Sequence, residues 1–225
     1  MTITSRIDHL VVAADTLAQG VAWCEATFGV TPGPGGEHGF MGTHNRLLRI
    51  ATPAYPRAYL EIIAVNPDAP PPGRPRWFDL DDEALRAAIR IQPRLVHFVA
   101  STPNGSAAIR ALAALGIDRG SMLQAARKTA DGWLRWHISV RADGQRLYQG
   151  TLPTLIEWGD AHPCDAMPES GLSLEGFSVS HPDVRLAAAY TVLRLERVQV
   201  TSGPPNISAQ VRGPRGVVTL QSGGA

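Results

Sequence analysis

The stretch RIDHLVVAAD, residues 6–15, sets a histidine in a run of Val, Ile and Leu that is typical of a buried β-strand. This histidine, His9, needs a hydrogen-bond partner there, because an unpaired polar group is costly to bury. Strict alternation along the strand predicts that His9 shares a face with Ile7. A second stretch of the same kind, RLVHFVAST at residues 94–102, carries His97. The recurrence predicts two related units, each beginning with such a strand.

The elements that follow the two strands come in the same order. After the first strand, a helix capped by Asp15 or Thr16 ends at Gly29, the glycine-rich stretch VTPGPGGEHGFMGTHN follows, and RLLRIA and AYLEIIAV are predicted as strands. After the second, a helix in PNGSAAIRALAALG ends at Gly116, and SMLQAARKTA, LRWHISVRA and TLPTLIEWG are predicted as strands. The second unit thus has the order β-α-β-β-β, and the first unit is assigned the same order, which indicates an α+β protein.

The repeated order divides the chain into four segments. A proline-rich connector, NPDAPPPGRPR, and a short helix separate the two units, and a third, smaller copy follows them. The predicted boundaries are 1–66 for the first module, 67–93 for the linker and helix, 94–163 for the second module and 170–225 for the third. We expect the linker helix, near residues 79–90, to lie outside any cavity that the two modules share.

Composition and charge restrict the class of protein. The 225-residue chain is 44% hydrophobic and 18% charged with a net charge of +1, which favours a globular domain and argues against a nucleic-acid or membrane surface. Cys24 and Cys164 lie far apart and fit neither a disulfide framework nor a thiolate zinc site. No apolar run approaches about 18 residues and no signal-peptide pattern is visible, so we expect a reduced, cytoplasmic protein.

Each of the two main units combines a histidine on its first strand with a glutamate on its last. The first unit has His9 and Glu61, and the second has His97 and Glu157. Four such side chains facing one cavity would form a mixed imidazole and carboxylate site, which suits a divalent Zn, Ni, Mn, Co or Fe ion. Two alternatives stay open. A strand histidine is often a hydrogen-bonded core residue, and each glutamate could pair with an arginine instead.

Several short motifs carry a family resemblance. They are IDHLVVAADTL, GGEHGFMGTHN, YLEIIAV, LIEWG followed by HP, and SVSHPD. Together with the repeated topology they resemble the vicinal oxygen chelate superfamily of glyoxalase I, extradiol dioxygenases, fosfomycin-resistance and bleomycin-binding proteins, and more narrowly its glyoxalase-like domain group. The resemblance implies an open, barrel-like mixed sheet around a cavity. It also implies metal ligands at His9, Glu61, His97 and Glu157, with Glu157 as the favoured catalytic residue that moves a proton.

The resemblance and the four candidate ligands lead to three hypotheses about function. The first is a metal-dependent lyase or isomerase of a small oxygenated molecule, in which a divalent metal acts as a Lewis acid. The second is a metal-free protein that binds and sequesters a small molecule, as the bleomycin-binding relatives do. The third is an extradiol-type dioxygenase, which needs two histidines and one carboxylate and could use His9, His97 and Glu157. All three imply a small-molecule ligand, and a homodimer is compatible with the sequence.

The glycine-rich segment GGEHGFMGTHN, residues 35–45, is the predicted ligand-binding wall of the cavity. Its glycines let the backbone approach a ligand closely, and its polar side chains suit an anionic or oxygen-rich molecule. His38, His44 and Asn45 are the candidate ligand-binding residues, and Asn45 can both donate and accept a hydrogen bond. The alternative is a plain surface turn with exposed polar residues.

Other aromatic and histidine residues of interest lie on the later strands and in loops. Trp136 and His137 are neighbours on one strand, so only one of them can face the cavity. Trp158 is interpreted as a packing residue. His162 and His181 are interpreted as structural histidines.

Overall fold

The fold is given by a computed structural model that describes residues 4–129 and 132–223. The first module contains β1 (Arg6–Ala13), α1 (Leu17–Phe28), β2 (Glu37–His38), β3 (Thr43–Arg49) and β4 (Tyr59–Val65). Helix α1 begins after Thr16, whose hydroxyl accepts a hydrogen bond from the Gln19 amide, and ends at Gly29, which has a left-handed φ of 75°. β4 is parallel to β1 and antiparallel to β3, and β2 pairs with β3. β3 thus joins the sheet of β1, as the sequence predicts.

The linker between the modules forms a 3-10 turn at Trp77–Asp79 and helix α2 (Glu83–Ile91). Phe78 and Asp79 have left-handed φ angles of 61° and 59°, which L side chains rarely adopt. The Asp79 carboxylate holds this turn in place, because it accepts hydrogen bonds from the amide and the guanidinium of Arg146. The turn thereby brings the rings of Trp77 and Phe78 into the apolar cluster on the inner face of the sheet.

The second module repeats the topology of the first. It contains β5 (Arg94–Ser101), α3 (Gly105–Ala113), β6 (Ser121–Thr129), β7 (Gly132–Val140) and β8 (Thr154–Trp158). Asn104 caps α3 by accepting a hydrogen bond from the Ala107 amide. β8 is parallel to β5 and antiparallel to β7, and β6 pairs with β7. Within the module, each strand has the same partners as its counterpart in the first module.

The two modules form one eight-stranded sheet with the order β2-β3-β4-β1-β5-β8-β7-β6. The first strands of the modules, β1 and β5, pair antiparallel at its centre. The sheet curves into a nearly closed barrel, which confirms the predicted α+β fold with a barrel-like mixed sheet. Leu10 and Phe98 on its outer face share an apolar core with Phe28 of α1. Trp136 on its inner face belongs to a second apolar cluster, which also includes Trp77 from the linker.

A β-bulge in β1 determines which residues face the inside of the barrel. Ile7 pairs with Ala100 and His9 pairs with Val99, so Asp8 is an extra residue without an opposite partner on β5. Ile7 packs in the outer core, whereas His9 lies on the inner face. The expectation that Ile7 and His9 share a face is therefore wrong, because the bulge interrupts the alternation between them.

Helix α4 (Pro163–Ala166) leads from the second module to a smaller unit. This unit contains β9 (Ser173–Ser180), α5 (Arg185–Leu193), β10 (Gln199–Thr201), β11 (Asn206–Gly213) and β12 (Gly216–Gln221). Its sheet has the order β10-β9-β11-β12, so the element order repeats β-α-β-β-β but the strand pairing differs from that of the modules. Phe177 and Ile207 pack this unit onto the outer core of the barrel. Within the described residues, no helix combines the length and the apolar character needed to cross a bilayer.

Candidate functional site

A small cavity lies on the inner face of the barrel. Its floor is polar and is formed by His9, His38, Asn45, Tyr59 and Glu61, and its walls include Trp77, Phe78, Trp136 and Trp158. Of the two neighbours on β7, Trp136 faces the cavity and His137 is exposed on the other side. The cavity volume is about 30 Å³, whereas a complete small-molecule ligand needs about 300 Å³ or more. Only the reacting end of a molecule would therefore enter it.

The bulge in β1 sets Asp8 directly beside His9. His9 Nδ1 lies 2.7 Å from one Asp8 oxygen, and the other oxygen accepts a hydrogen bond from Trp158 Nε1 at 2.8 Å and lies 3.1 Å from His162 Nε2. Burial would raise the pKa of Asp8, but hydrogen bonds to His162 and His9 outweigh it and hold that pKa well below its ordinary value. Asp8 is therefore a buried carboxylate that fixes the orientation of the His9 ring.

Glu61 shares the cavity floor with His9. Its side chain is buried, with the residue 5% exposed, and its Oε2 lies 3.6 Å from His9 Nε2. Its other oxygen, Oε1, accepts a hydrogen bond from Asn45 Nδ2 at 2.6 Å. Asn45 is held in turn by the Gly36 amide, which donates to Asn45 Oδ1 at 2.8 Å. Asn45 thus links the glycine-rich segment to Glu61 and orients the carboxylate with Oε2 toward His9.

The glycine-rich segment places His38 at the cavity and His44 away from it. His38 Nδ1 lies 3.1 Å from Thr43 Oγ1, and the ring is buried. Burial lowers the pKa of His38 to about 3, and the charge of Arg127 adds to this effect, so the ring is neutral near pH 7. His44 precedes Asn45 on β3 and points to the opposite face, so of the three predicted ligand-binding residues it is the one that does not line the cavity.

The structure separates His97 and Glu157 from the pair in the first module. His97 is fully buried, with Nδ1 2.8 Å from the Gly150 carbonyl oxygen. Its Nε2 accepts a hydrogen bond from the Thr154 amide at 3.1 Å and lies 3.0 Å from the Thr154 hydroxyl. Glu157 points away from the cavity, and its carboxylate accepts a hydrogen bond of 2.7 Å from the Gly105 amide at the start of α3. Both side chains are thus used in the packing of the second module.

Of the four predicted metal ligands, the structure brings His9 and Glu61 together at the cavity. They offer one nitrogen and one oxygen donor. Residues 4–129 and 132–223 contain no group of three or more His, Cys, Asp or Glu side chains that could hold a metal ion. Catalytic zinc sites use three protein ligands, so the donors described here are incomplete for the predicted divalent metal. They are also incomplete for the two histidines and one carboxylate of an extradiol site.

Asp8, Trp158 and His162 belong to the site although the sequence patterns do not reveal this. Trp158 and His162, interpreted from sequence as packing and structural residues, both contact the Asp8 carboxylate. One signal could have identified Asp8. It is a carboxylate inside an apolar strand, and Glu61 stands out in the sequence for the same reason.

Arg127 on β6 lies where the cavity meets a larger groove. The groove has a volume of about 610 Å³, and Leu47, Arg127, Leu134 and Pro163 line both spaces. Arg127 Nε and Nη1 are buried and have no hydrogen-bond partner within the described ranges 4–129 and 132–223. Gly36 leaves the space that the guanidinium fills, because a Cβ on Gly36 would lie 2.2 Å from Nη1.

Comparisons with known proteins bear on the family and the fold. A family model described as a glyoxalase-like domain matches residues 7–194. No curated protein matches the sequence. Among solved structures, a hypothetical protein from Staphylococcus aureus superposes with a TM-score of 0.58 at 14% identity, covering 96% of this chain and 85% of that chain. This similarity supports the fold described above.

Methylmalonyl-CoA epimerases are similar at lower TM-scores. The Streptomyces coelicolor epimerase in complex with 2-nitronate-propionyl-CoA gives a TM-score of 0.45 at 19% identity, covering 72% of this chain and 99% of that chain. The Mycobacterium tuberculosis epimerase gives 0.41 at 16% identity, covering 74% of this chain and 95% of that chain. The family model is the decisive match, since it spans most of the sequence. The chain belongs to the glyoxalase-like domain family of the vicinal oxygen chelate superfamily.

Proposed function

We propose that this protein is a lyase or isomerase that moves a proton on a small oxygenated molecule, with Glu61 and His9 as the catalytic residues. One observation carries the proposal: a buried carboxylate and a buried imidazole lie 3.6 Å apart at the floor of a cavity. The side chain of Asn45 orients the Glu61 carboxylate through a hydrogen bond, and the Asp8 carboxylate orients the His9 ring in the same way. Burying a carboxylate beside an imidazole is costly, and such arrangements are concentrated at functional sites.

In this proposal Glu61 is the general base. Its Oε2 is the oxygen that Asn45 leaves open, so it can take a proton from a carbon next to a carbonyl group. His9 is positioned to stabilise the negative charge that then develops on the substrate oxygen, because Asp8 holds its Nδ1 and leaves Nε2 on the Glu61 side of the ring. Asp8 stays ionised, since its pKa is held low, and it orients the His9 ring. Return of the proton to a neighbouring atom gives an isomerase, and loss of a leaving group gives a lyase.

The aromatic walls support catalysis rather than sequestration. The ring of Tyr59 stacks on His9 with centroids 4.5 Å apart, and Trp77 and Phe78 cover the cavity from the linker. A small space with largely aromatic and apolar walls strengthens the interactions of charged groups with a reacting atom. A protein that only sequesters a molecule has no need of an oriented acid and base, whereas the lyase or isomerase hypothesis requires both.

Metal dependence is proposed separately from this acid–base role. Members of the superfamily often use a divalent metal, and the cavity offers it His9 and Glu61, one donor fewer than the three protein ligands of a catalytic zinc site. Elemental analysis of protein purified without an affinity tag tests this. A metal bound at the cavity should be lost in His9→Ala and kept in His97→Gln. Undiminished metal content in His9→Ala would exclude His9 as a ligand.

The cytoplasm is the proposed location. Cys24 and Cys164 are free and buried, and burial raises the pKa of both thiols to about 12. Such unreactive, unpaired thiols suit a reducing compartment. The small-molecule ligand and the homodimer stay predictions.

Proton exchange in deuterium oxide tests the proposed function with a matched pair of variants. The wild-type protein, Glu61→Gln and Glu157→Gln are incubated with a panel of small α-hydroxy and α-keto carboxylates, and proton NMR follows exchange next to the carbonyl. We expect Glu61→Gln to slow the exchange by about 100- to 10,000-fold, and Glu157→Gln to leave it unchanged. Circular dichroism checks that both variants are folded. Exchange that survives in Glu61→Gln would refute the assignment of the base.

A further inference from the structure

We propose that the groove beside the catalytic cavity binds an amphipathic monocarboxylate, and that Arg127 binds its carboxylate group. The inference rests on the proposed function, because it names the class of molecule on which Glu61 and His9 act. It is carried by a different observation, which is the position of an unpaired guanidinium between the groove and the cavity.

Arg127 differs from the other arginines that have a buried, unpartnered nitrogen. In each of the others, a second guanidinium nitrogen donates a hydrogen bond to the protein. These arginines are Arg49, Arg74, Arg76 and Arg119. Arg127 forms no hydrogen bond or ion pair with any residue in 4–129 or 132–223. Arg127 is half-buried, and leaving its two buried nitrogens without a partner costs free energy, which a bound anion would offset. The planar guanidinium also matches a carboxylate with two parallel hydrogen bonds.

The charges around the cavity favour a single negative charge on the ligand. Arg127 is the one Arg or Lys among the described residues that line the cavity, and Glu61 lies on the same lining. A carboxylate carries one charge, which Arg127 balances. A phosphate monoester near pH 7 carries more negative charge, and the excess would be repelled by the Glu61 carboxylate on the same lining.

The groove suits the apolar part of such a molecule. Its volume of about 610 Å³ lies in the range of small-molecule sites, and Val30, Pro34, Leu134 and Met167 contribute to its lining. Arg49, the other arginine of the groove, is already 3.0 Å from Glu169. A carboxylate on Arg127 with its apolar chain in the groove would leave the adjoining oxygenated carbon at the mouth of the cavity.

The positions of Arg127 and the catalytic pair are linked through the glycine-rich segment. Gly36 contacts the guanidinium on one side and donates its amide to Asn45 on the other, and Asn45 donates to Glu61. The anion site and the general base therefore share one structural support. This link explains why the segment has glycine at position 36, since any side chain there would displace the guanidinium.

Isothermal titration calorimetry tests the proposal with octanoate, butanoate, octyl phosphate and octanol as probes. Arg127→Gln should weaken octanoate binding by about 10- to 100-fold. Lys128→Gln is the matched control, because it removes one positive charge from the next, exposed position on β6 and should leave the affinity unchanged. Octanoate should bind more tightly than butanoate, by up to about fourfold for each added methylene.

Three results would overturn the proposal. Octanol binding as tightly as octanoate would show that the carboxylate is not recognised. Octyl phosphate binding as tightly as octanoate would assign the site to phosphates. An unchanged octanoate affinity in a folded Arg127→Gln variant would remove Arg127 from the site.

A further variant separates this inference from the proposed function. Glu61→Gln should bind octanoate at least as tightly as the wild type while its proton exchange is lost. If Glu61→Gln keeps its proton-exchange activity but Arg127→Gln binds octanoate more weakly, the catalytic assignment fails and the anion site stands. If exchange is lost in Glu61→Gln and octanoate affinity is unchanged in Arg127→Gln, the anion site fails and the catalytic assignment stands.

Discussion

The two modules carry a histidine and a glutamate at equivalent strand positions and use them differently. In the first module, His9 and Glu61 face each other at a cavity. In the second, His97 is bonded on both ring nitrogens within the protein, and Glu157 accepts a hydrogen bond from the start of α3. Equivalent positions in a repeat therefore need not have equivalent roles, since one copy can form the site while the other stabilises the barrel.

The residue before each histidine explains part of the difference. β1 and β5 each have one residue without a partner on the other strand, and these are Asp8, which precedes His9, and Val96, which precedes His97. Both modules therefore bulge at the same position. The bulged residue of the first module is a carboxylate that orients the neighbouring imidazole. In the second module it is an apolar side chain of the inner cluster.

The largest expected effect comes from removing the second-module histidine. His97→Ala should lower the free energy of unfolding by about 3–5 kcal/mol, because it leaves the Gly150 carbonyl and the Thr154 amide buried without partners. His9→Ala should cost less, about 1–3 kcal/mol, since Asp8 keeps its other partners. Urea unfolding measures both values. Equal costs in the two variants would contradict the division of roles between the modules.

The next largest expected effect is the loss of stability when Asp8, the carboxylate at the β-bulge, is replaced by its amide. Asp8→Asn should lower the free energy of unfolding by about 1–3 kcal/mol at pH 7, because an amide nitrogen would face one of the donors that now bond to Asp8. The folded pKa of Asp8 is lowered, so its stabilisation is present above the ordinary value of 3.8 and is lost as pH falls through the folded pKa. Denaturation at pH 7 and pH 3 measures this cost. A cost that grows on acidification would contradict the assignment.

A smaller effect is the pH dependence contributed by His38. Its pKa is lowered from 6.5 to about 3, so between these values the unfolded chain binds a proton that the folded protein does not. Stability should therefore fall as pH drops below 6.5, by up to about 1.4 kcal/mol per pH unit for this group. His38→Gln should make the dependence shallower. Urea midpoints at pH 7, 6 and 5 test this, and an unchanged slope would show that His38 can be protonated in the folded protein.

The smallest expected effect is the loss of stability when Glu157, the glutamate of the second module, is replaced. Glu157→Ala should cost about 1 kcal/mol of stability, because it removes the acceptor for the Gly105 amide at the start of α3. Glu157→Gln keeps an acceptor and should cost less. Thermal unfolding compares the two variants. A loss of proton exchange in a folded Glu157 variant would restore this residue to the catalytic role that the family resemblance implies.

The order of elements could be predicted because it depends on local patterns. The helix caps and stops, such as Thr16 and Gly29, and the alternating apolar runs are properties of short segments. The burial of Glu61 could also be anticipated, because a carboxylate in an apolar strand must face a partner. The histidines of the two first strands could be singled out for the same reason, because an imidazole in an apolar strand also needs a partner.

The composition of the site could be predicted only in part, because it depends on pairing between distant strands. A shift of one residue in a ladder reverses the faces, and the bulge at Asp8 is set by the register of β1 against β5. Arg127 lies on a strand that is largely exposed, so its sequence context resembles that of a surface arginine. Trp77 and Phe78 lie in a connector that has no periodicity from which a position over the cavity could be inferred.

The position of Trp77 and Phe78 has a consequence for how the family can diversify. These rings cover the cavity, yet they belong to the linker turn and not to a strand of the barrel. The turn is fastened to the second module through Asp79 and Arg146. Insertions or exchanges in this connector would therefore reshape the space above the acid–base pair without altering the strands that hold it. A library confined to the connector is the natural starting point for changing which molecules the protein accepts.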